Sequence, residues 1–235
     1  MKTISLQSLI CLFFSLFIFS SCLKDNDGYY DGPATPAAYM TFINAYPEND
    51  FLSFDLHAQN SPFPLQYKSY LRPAWGVFTG ERKLTITAPS GNSPLIDTVL
   101  NIRDSSAYST FIYGTATNPR FAMTQDRTIQ NLGENTGIRF FNLANIEGNV
   151  NLVVGNADTA AFANRPMETG ASAVQHQLFQ PTASGSINLR VMDASGNEIA
   201  RRDNYTLRKG YYYSIFLTGN ASGGNSPLYL GVVYH

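Results

Sequence analysis

Cysteine is scarce in this 235-residue chain: only Cys11 and Cys22 occur, both near the N-terminus. A domain exported beyond residue 22 therefore has no disulfide, and its stability must come from burial of apolar surface. A thiol nucleophile is excluded from that domain for the same reason. Charge is sparse and balanced, with 16 basic against 17 acidic residues. That balance excludes the basic stripe of a nucleic-acid-binding protein and a polybasic membrane surface. No apolar run reaches the roughly 20 residues that a spanning helix requires. The three histidines, His57, His176 and His235, are isolated from one another, and none has an acid at metal-ligand spacing. His-Glu-x-x-His, Gly-x-Ser-x-Gly and Gly-x-x-x-x-Gly-Lys are all missing. The sequence thus nominates no metal site, no cofactor and no catalytic residue. Paired carboxylates drawn from Asp50, Asp55, Asp97 and Asp104 stay open, because such pairs are made in space and not in sequence.

The N-terminus is richer in signal. An apolar run from Leu9 to Phe19 follows the single cation Lys2 and ends in Ser20-Ser21-Cys22. This is the layout of a secretory signal peptide over residues 1–21. A cysteine at the cleavage boundary resembles the bacterial lipobox, with Phe19 where leucine is usual, and implies that Cys22 is acylated and becomes the mature terminus. Several acyl chains, at about 0.8 kcal/mol per buried CH₂, hold such a protein firmly on a membrane. Residues 22–37, rich in Gly, Pro, Asp and Asn, read as a flexible tether. Within it Lys24-Asp-Asn-Asp27 resembles the signal that sends Bacteroidota lipoproteins to the outer face of the outer membrane, and reads equally as a solvated linker.

The body repeats itself. Met40-Thr-Phe-Ile-Asn-Ala45 returns 98 positions later as Ile138-Arg-Phe-Phe-Asn-Leu143, and Leu52–Leu56 returns at the same offset as Val150–Val154. From Gly80 the offset is 105: Leu84 and Ile86 match Leu189 and Val191, Ser90-Gly-Asn92 matches Ser195-Gly-Asn197, and Tyr108, Ser109 and Gly114 match Tyr213, Ser214 and Gly219. The second copy therefore carries about seven extra residues between Val154 and Gly185. Apolar residues alternate with polar ones at Leu84, Ile86 and Ala88, the period of a half-buried strand. No sustained helical stripe occurs, and Ala157–Asn164 is expected to make one helical turn. Several short strands in each unit of about 100 residues give an all-β chain of two tandem immunoglobulin-like β-sandwiches related by internal duplication, at 38–126 and 137–235. The short linker, 127–136, implies that they pack against each other.

The opening strand ending in Asn44-Ala45, the Pro47-Glu-Asn-Asp50 turn, Leu52-Ser-Phe-Asp-Leu56, the Gly80 turn and the closing strand from Tyr108 to Gly114 resemble an immunoglobulin-like repeat family. It is a domain of unknown function found in Bacteroidota-type surface lipoproteins. The resemblance implies location and architecture and brings no catalytic residue. Copy two has Asn145-Ile-Glu-Gly148 where copy one has the Pro-Glu-Asn-Asp turn.

Aromatic residues carry the remaining functional signal. Trp75, the only tryptophan, is either a plug for the first sandwich or a binding contact. In Tyr211-Tyr212-Tyr213, alternation sets Tyr212 opposite its neighbours, so it is the second candidate contact. Asp97-Thr98-Val99 and Asp158-Thr159-Ala160 resemble Bacteroidota O-glycosylation acceptors at Thr98 and Thr159. The expected protein is a non-catalytic lipoprotein of the outer membrane, facing outward, that binds a surface glycan or an envelope protein. Two other readings stand beside it. One is an adhesin or pilus-like subunit assembled by exchange of the strand Leu228–Tyr234; the other is an accessory or weak glycan hydrolase.

Overall fold

The computed structural model describes residues 37–58, 61–71, 75–89, 91 and 93–235; Cys22, the leader and nearly all of the tether lie outside them, as do Ser90 and Asn92. The first half contributes β1 (Ala37–Asn44), β2 (Phe51–Leu56), β3 (Phe63–Gln66), β4 (Trp75–Phe78), β5 (Gly80–Thr87), β6 (Ile96–Ile102), β7 (Ala107–Thr115) and β8 (Asn118–Gln125). These form two sheets, β4-β1-β7-β8 and β3-β2-β5-β6. The second half contributes β9 (Asn135–Asn142), β10 (Val150–Val154), β11 (Phe162–Arg165), β12 (Gln180–Ala183), β13 (Gly185–Met192), β14 (Glu198–Leu207), β15 (Tyr212–Thr218) and β16 (Tyr229–Tyr234). Its sheets, β12-β9-β15-β16 and β11-β10-β13-β14, have the strand order of the first pair.

Register repeats along with strand order. β1 runs parallel to β7 with Tyr39 opposite Ala107, and β9 runs parallel to β15 with Gly137 opposite Tyr212. Phe54 faces Ile86 in one half as Leu152 faces Val191 in the other. These are the offsets of 98 and 105 seen in the sequence. The all-β, two-sandwich reading therefore holds, and Leu84, Ile86, Leu189 and Val191 are all fully buried as their alternation requires. Each half also ties a tyrosine hydroxyl to the backbone five residues upstream: Tyr108 accepts from Arg103 N at 3.1 Å and Tyr213 from Arg208 N at 2.9 Å. Such tyrosine corners occur in immunoglobulin-type sandwiches.

Four sheets make three cores. Within the first sandwich Met40, Phe42, Leu52, Phe54, Leu84 and Ile86 pack together, and Ile138, Phe140, Leu152, Leu189 and Val191 do so in the second. The third core lies between the halves: Ile43, Phe111 and Tyr113 from β1 and β7 meet Phe141, Phe216 and Val233 from β9, β15 and β16. The rings of Phe111 and Phe141 are 4.9 Å apart. Sheets β4-β1-β7-β8 and β12-β9-β15-β16 are thus covered on both faces, which is why β7 and β15 are buried almost without a break.

The extra residues of copy two lie between β11 and β12, where a short helix α1 (Gly170–Gln175) sits. Thr169 caps it, exchanging side-chain hydrogen bonds with Ser172 in a capping box. The expected helical turn at Ala157–Asn164 is not there. That segment has no such cap, its end is drawn into β11 by pairing of Phe162 with Leu152, and Asn164 takes φ 54°. α1 instead docks on the first half: Ala173 enters the third core, and Gln177 Oε1 accepts from Gln125 N at 2.8 Å on edge strand β8. A helix placed there shields the edge of the first sandwich.

Candidate functional site

Trp75 is half-buried on β4, with its ring edge-on to Phe63 at 4.7 Å and to Phe42 at 6.3 Å. Tyr212 is also half-buried. Its hydroxyl accepts from Ile129 N and donates to Ile129 O, both at 2.9 Å, and its ring covers Gly137 so closely that a Cβ there would lie 2.4 Å from Tyr212 Cδ1. Tyr212 thereby fastens the linker to β15. The tyrosine that reaches solvent is its neighbour Tyr211, 41% exposed. Thr98 is half-buried on β6 opposite Leu84, whereas Thr159 is exposed in a bend before β11. Cys22 lies outside the described residues. The structure does not bring the other four residues together.

It does bring together polar groups that the sequence did not nominate. Arg139 of β9, fully buried, crosses the interface. Its Nε donates to Ser214 Oγ at 2.7 Å, and its Nη2 to Ser109 Oγ at 3.0 Å and to Asp126 Oδ1 at 2.5 Å. Ser109 and Ser214 are equivalent positions in the repeat, so both halves offer the same face to the same guanidinium. Asp126 and His235 are likewise equivalent, one residue past the partners of Tyr108 and Tyr213, and they approach at 3.5 Å. His235 Nε2 is 2.8 Å from Ser214 Oγ. Serine, histidine and aspartate therefore stand in the order of a hydrolytic triad. Ser214 is fully buried and held by Arg139, however, so no substrate carbonyl can reach it in this arrangement. The cluster is a seam between the halves. Burial pulls the Arg139 guanidinium below its ordinary value, and Asp126 opposes that shift.

A second seam joins α1 to the first half. The Glu168 carbonyl accepts from Tyr113 Oη at 2.9 Å and from Arg120 Nη1 at 3.1 Å, while its buried carboxylate meets the Ser172 hydroxyl and His176 Nδ1, the latter at 2.9 Å. Burial raises Tyr113 to about 12, with Arg120 lowering it and Glu168 raising it further. An acid whose folded pKa is raised keeps its proton while the unfolded chain releases one. Stability is therefore complete below about pH 10 and falls as pH climbs toward 12, by about 2–3 kcal/mol from this group. Urea midpoints measured from pH 9 to 11.5 should fall less steeply in Tyr113→Phe than in the native chain. Parallel curves would refute the assignment. At pH 7 the substitution should cost only about 1 kcal/mol, because Arg120 still serves the Glu168 carbonyl.

Two surface clefts lie among the described residues of the second half. One, of about 380 Å³, lies over β10 and β13 among Asn151, Asp158, Arg190 and Met192. The other, of about 220 Å³, is lined by Tyr205, Thr206, Arg208, Tyr211, Tyr213 and Tyr234. The Tyr211 and Tyr234 rings meet at 6.3 Å and 66°, and those of Tyr205 and Tyr213 at 6.1 Å and 89°. The sequence points to the tyrosine triplet and nominates Tyr212, which is half-buried, while Tyr211 is the more exposed of the three. Tyr205 and Tyr234 were not singled out, since only the fold sets three strand ends side by side. Among the described residues no group of three or more His, Cys, Asp or Glu side chains could hold a metal ion, and no helix is long and apolar enough to cross a membrane.

Residues 38–153 match the family model of a domain of unknown function, DUF4397. The match runs through all eight strands of the first sandwich and on into β9 and β10. No curated protein matches the chain. Among solved structures, the chain is similar to a DUF3823 family protein from Bacteroides ovatus ATCC 8483, with 9% identity over 74% of this chain and 99% of the other and a TM-score of 0.22. It is also similar to a candidate cell adhesion protein from Bacteroides eggerthii DSM 20697, with 10% identity over 86% and 97% and a TM-score of 0.20.

Proposed function

We propose that this chain is a non-catalytic, lipid-anchored protein of the cell envelope. Acylated Cys22 holds it on the outer membrane, and its double sandwich faces outward to bind a surface glycan or another envelope protein. The observation that carries this reading is the lipobox-like run ending at Cys22, followed by a short tether and then a folded body. The stretch from Cys22 to the start of β1 at Ala37 spans at most roughly 50 Å when extended, enough to clear a headgroup layer. A body with three continuous cores suits display, because its surface is presented by fixed strands. Trp75, half-buried, is retained as a contact, whereas Tyr212 serves the linker. Thr159, exposed, suits O-glycan attachment better than Thr98, and an intact mass equal to that of the unmodified chain would remove both.

The alternatives have less support. Strand exchange needs Leu228–Tyr234 to be released, yet β16 is paired along its length with β15 of its own sheet. A hydrolase needs two acids across a cleft, and the two clefts described hold one carboxylate between them, Asp158. Protease treatment of intact cells tests the proposal. The native protein should be cleaved, while Cys22→Ala should leave the membrane fraction and be protected. Protection of the native protein, or a Cys22→Ala variant still bound to membrane, would overturn it.

A further inference from the structure

The geometry points to the tyrosine cleft at the end of the second sandwich as a binding site for an acidic pyranose, a uronic acid unit within a glycan chain. The inference deepens the proposed function and rests on its glycan-binding reading.

The turn Arg208–Tyr211 builds one wall. Gly210 takes φ 78°, and Tyr211 N closes the turn on Arg208 O at 3.2 Å, so Tyr211 is delivered to the rim. The last strand brings Tyr234 beside it, ring against ring at 6.3 Å, 37% exposed against 41% for Tyr211. Tyr205 and Tyr213 form the floor. Rings set at steep angles around one hollow offer flat apolar faces to the C–H face of a sugar, with hydroxyls at their tips for its oxygens.

Comparison of the two halves shows that Tyr211 and Tyr234 are surplus to the fold, whereas Tyr205 packs on the second core as Leu100 does in the first. The first sandwich has the same strands, register and tyrosine corner, with Tyr108 in place of Tyr213. At the positions of Tyr205, Tyr211 and Tyr234 it carries Leu100, Ser106 and Gln125. The turn is even kept at positive φ by Ser105, which stands where Gly210 is. A half that folds with Ser106 and Gln125 at the two rim positions shows that the sandwich does not need Tyr211 and Tyr234.

Charge selects the class of sugar. None of the six lining residues is acidic, and Arg208 is the one cation among them. Its backbone N–H is taken by Tyr213 Oη, but among the described residues no carboxylate pairs with its guanidinium, whereas neighbouring Lys209 is paired with Glu134. An unspent guanidinium beside aromatic faces matches a carboxylate carried on a sugar ring, which its planar fork can grip with two parallel hydrogen bonds. Thr206 adds a hydroxyl at the same rim.

Titration calorimetry of the full chain tests this, using hexameric oligogalacturonate and oligoglucuronate against a neutral galactan hexamer. At least one acidic hexamer should bind, at least tenfold more tightly than the neutral one. The double variant Tyr211→Ser, Tyr234→Gln copies residues the first half already carries and should retain the native melting temperature. It should lose tenfold or more in affinity for the acidic chain. Arg208→Gln should bring acidic affinity down to the neutral level and leave neutral binding unchanged. Equal binding of neutral and acidic chains would overturn the acidic class, and wild-type affinity in the double variant would overturn the site. Absence of binding by either acidic hexamer would overturn both. Loss of the site leaves a separate mark from loss of the broader function. Surface cleavage and a glycan or protein partner that persist in the double variant would keep the envelope-binding reading while removing this cleft from it.

Discussion

Arg139→Met is expected to lower the thermal midpoint by roughly 10 °C, about 3–5 kcal/mol for a chain of this size. The size follows from what the substitution strands. Asp126, only 9% exposed at its side chain, would keep the Ser109 hydroxyl and the His235 ring, but lose the guanidinium charge against it. Ser214 would lose its donor, and the carbonyl of Gln177, now served by Arg139 Nη1 at 3.1 Å, would be left without it. Phe179, which lies 4.3 Å from the guanidinium, would face a thioether instead of a cation. Removing the partner charge as well should recover part of the loss, because an apolar pair of similar volume avoids the desolvation cost that the ionic pair carries. Differential scanning fluorimetry of Arg139→Met, Asp126→Leu and the double variant tests this. Strictly additive losses, or a single-variant shift of only a degree or two, would show that the seam is not a coupled charge pair.

The seam also marks where the sequence stopped being informative. Alternation identified the sandwich cores, because Leu84, Ile86, Leu189 and Val191 obey a period of two that depends on one buried face. Arg139 obeys the same alternation and points away from Ile138 and Phe140, the direction that means solvent in a lone sandwich. Here that direction leads to a second sheet, whose Ser109 and Asp126 belong to the other half. The clue that survived was the unbroken apolar character of Phe111-Ile-Tyr113 and Phe140-Phe141, which signals strands covered on both faces. The same limit applied to the cleft. Three adjacent tyrosines announced that at least one must lie outside. Only the fold could place Tyr211 at the rim, commit Tyr212 to Ile129, and bring Tyr205 and Tyr234 alongside. The extra residues of copy two were countable from the offsets. Their docking on β8 was not, since Gln177 and Gln125 are partners across the two halves.

Phe141→Ala and Phe140→Ala should each remove about 3–5 kcal/mol of stability, yet unfold differently. The two rings are neighbours in sequence and point to opposite faces of β9. Phe140 packs into the second sandwich, with Phe162 at 6.3 Å, and Phe141 packs across the interface on Phe111 at 4.9 Å, with the Arg139 guanidinium at 5.2 Å. Truncating Phe140 weakens one sandwich while leaving the third core to couple it to the other, so a single transition at lower temperature is expected. Truncating Phe141 weakens the coupling itself. Each half keeps its own core, and the first half gains the freedom to melt apart from the second. Calorimetry should then give a calorimetric enthalpy well above the van't Hoff value for Phe141→Ala and near equality for Phe140→Ala and the native chain. Two transitions in the native chain, or one in Phe141→Ala, would mean that the interface does not bind the two sandwiches into one cooperative unit. In that case the fixed position of the tyrosine cleft relative to the first half would lose its physical basis.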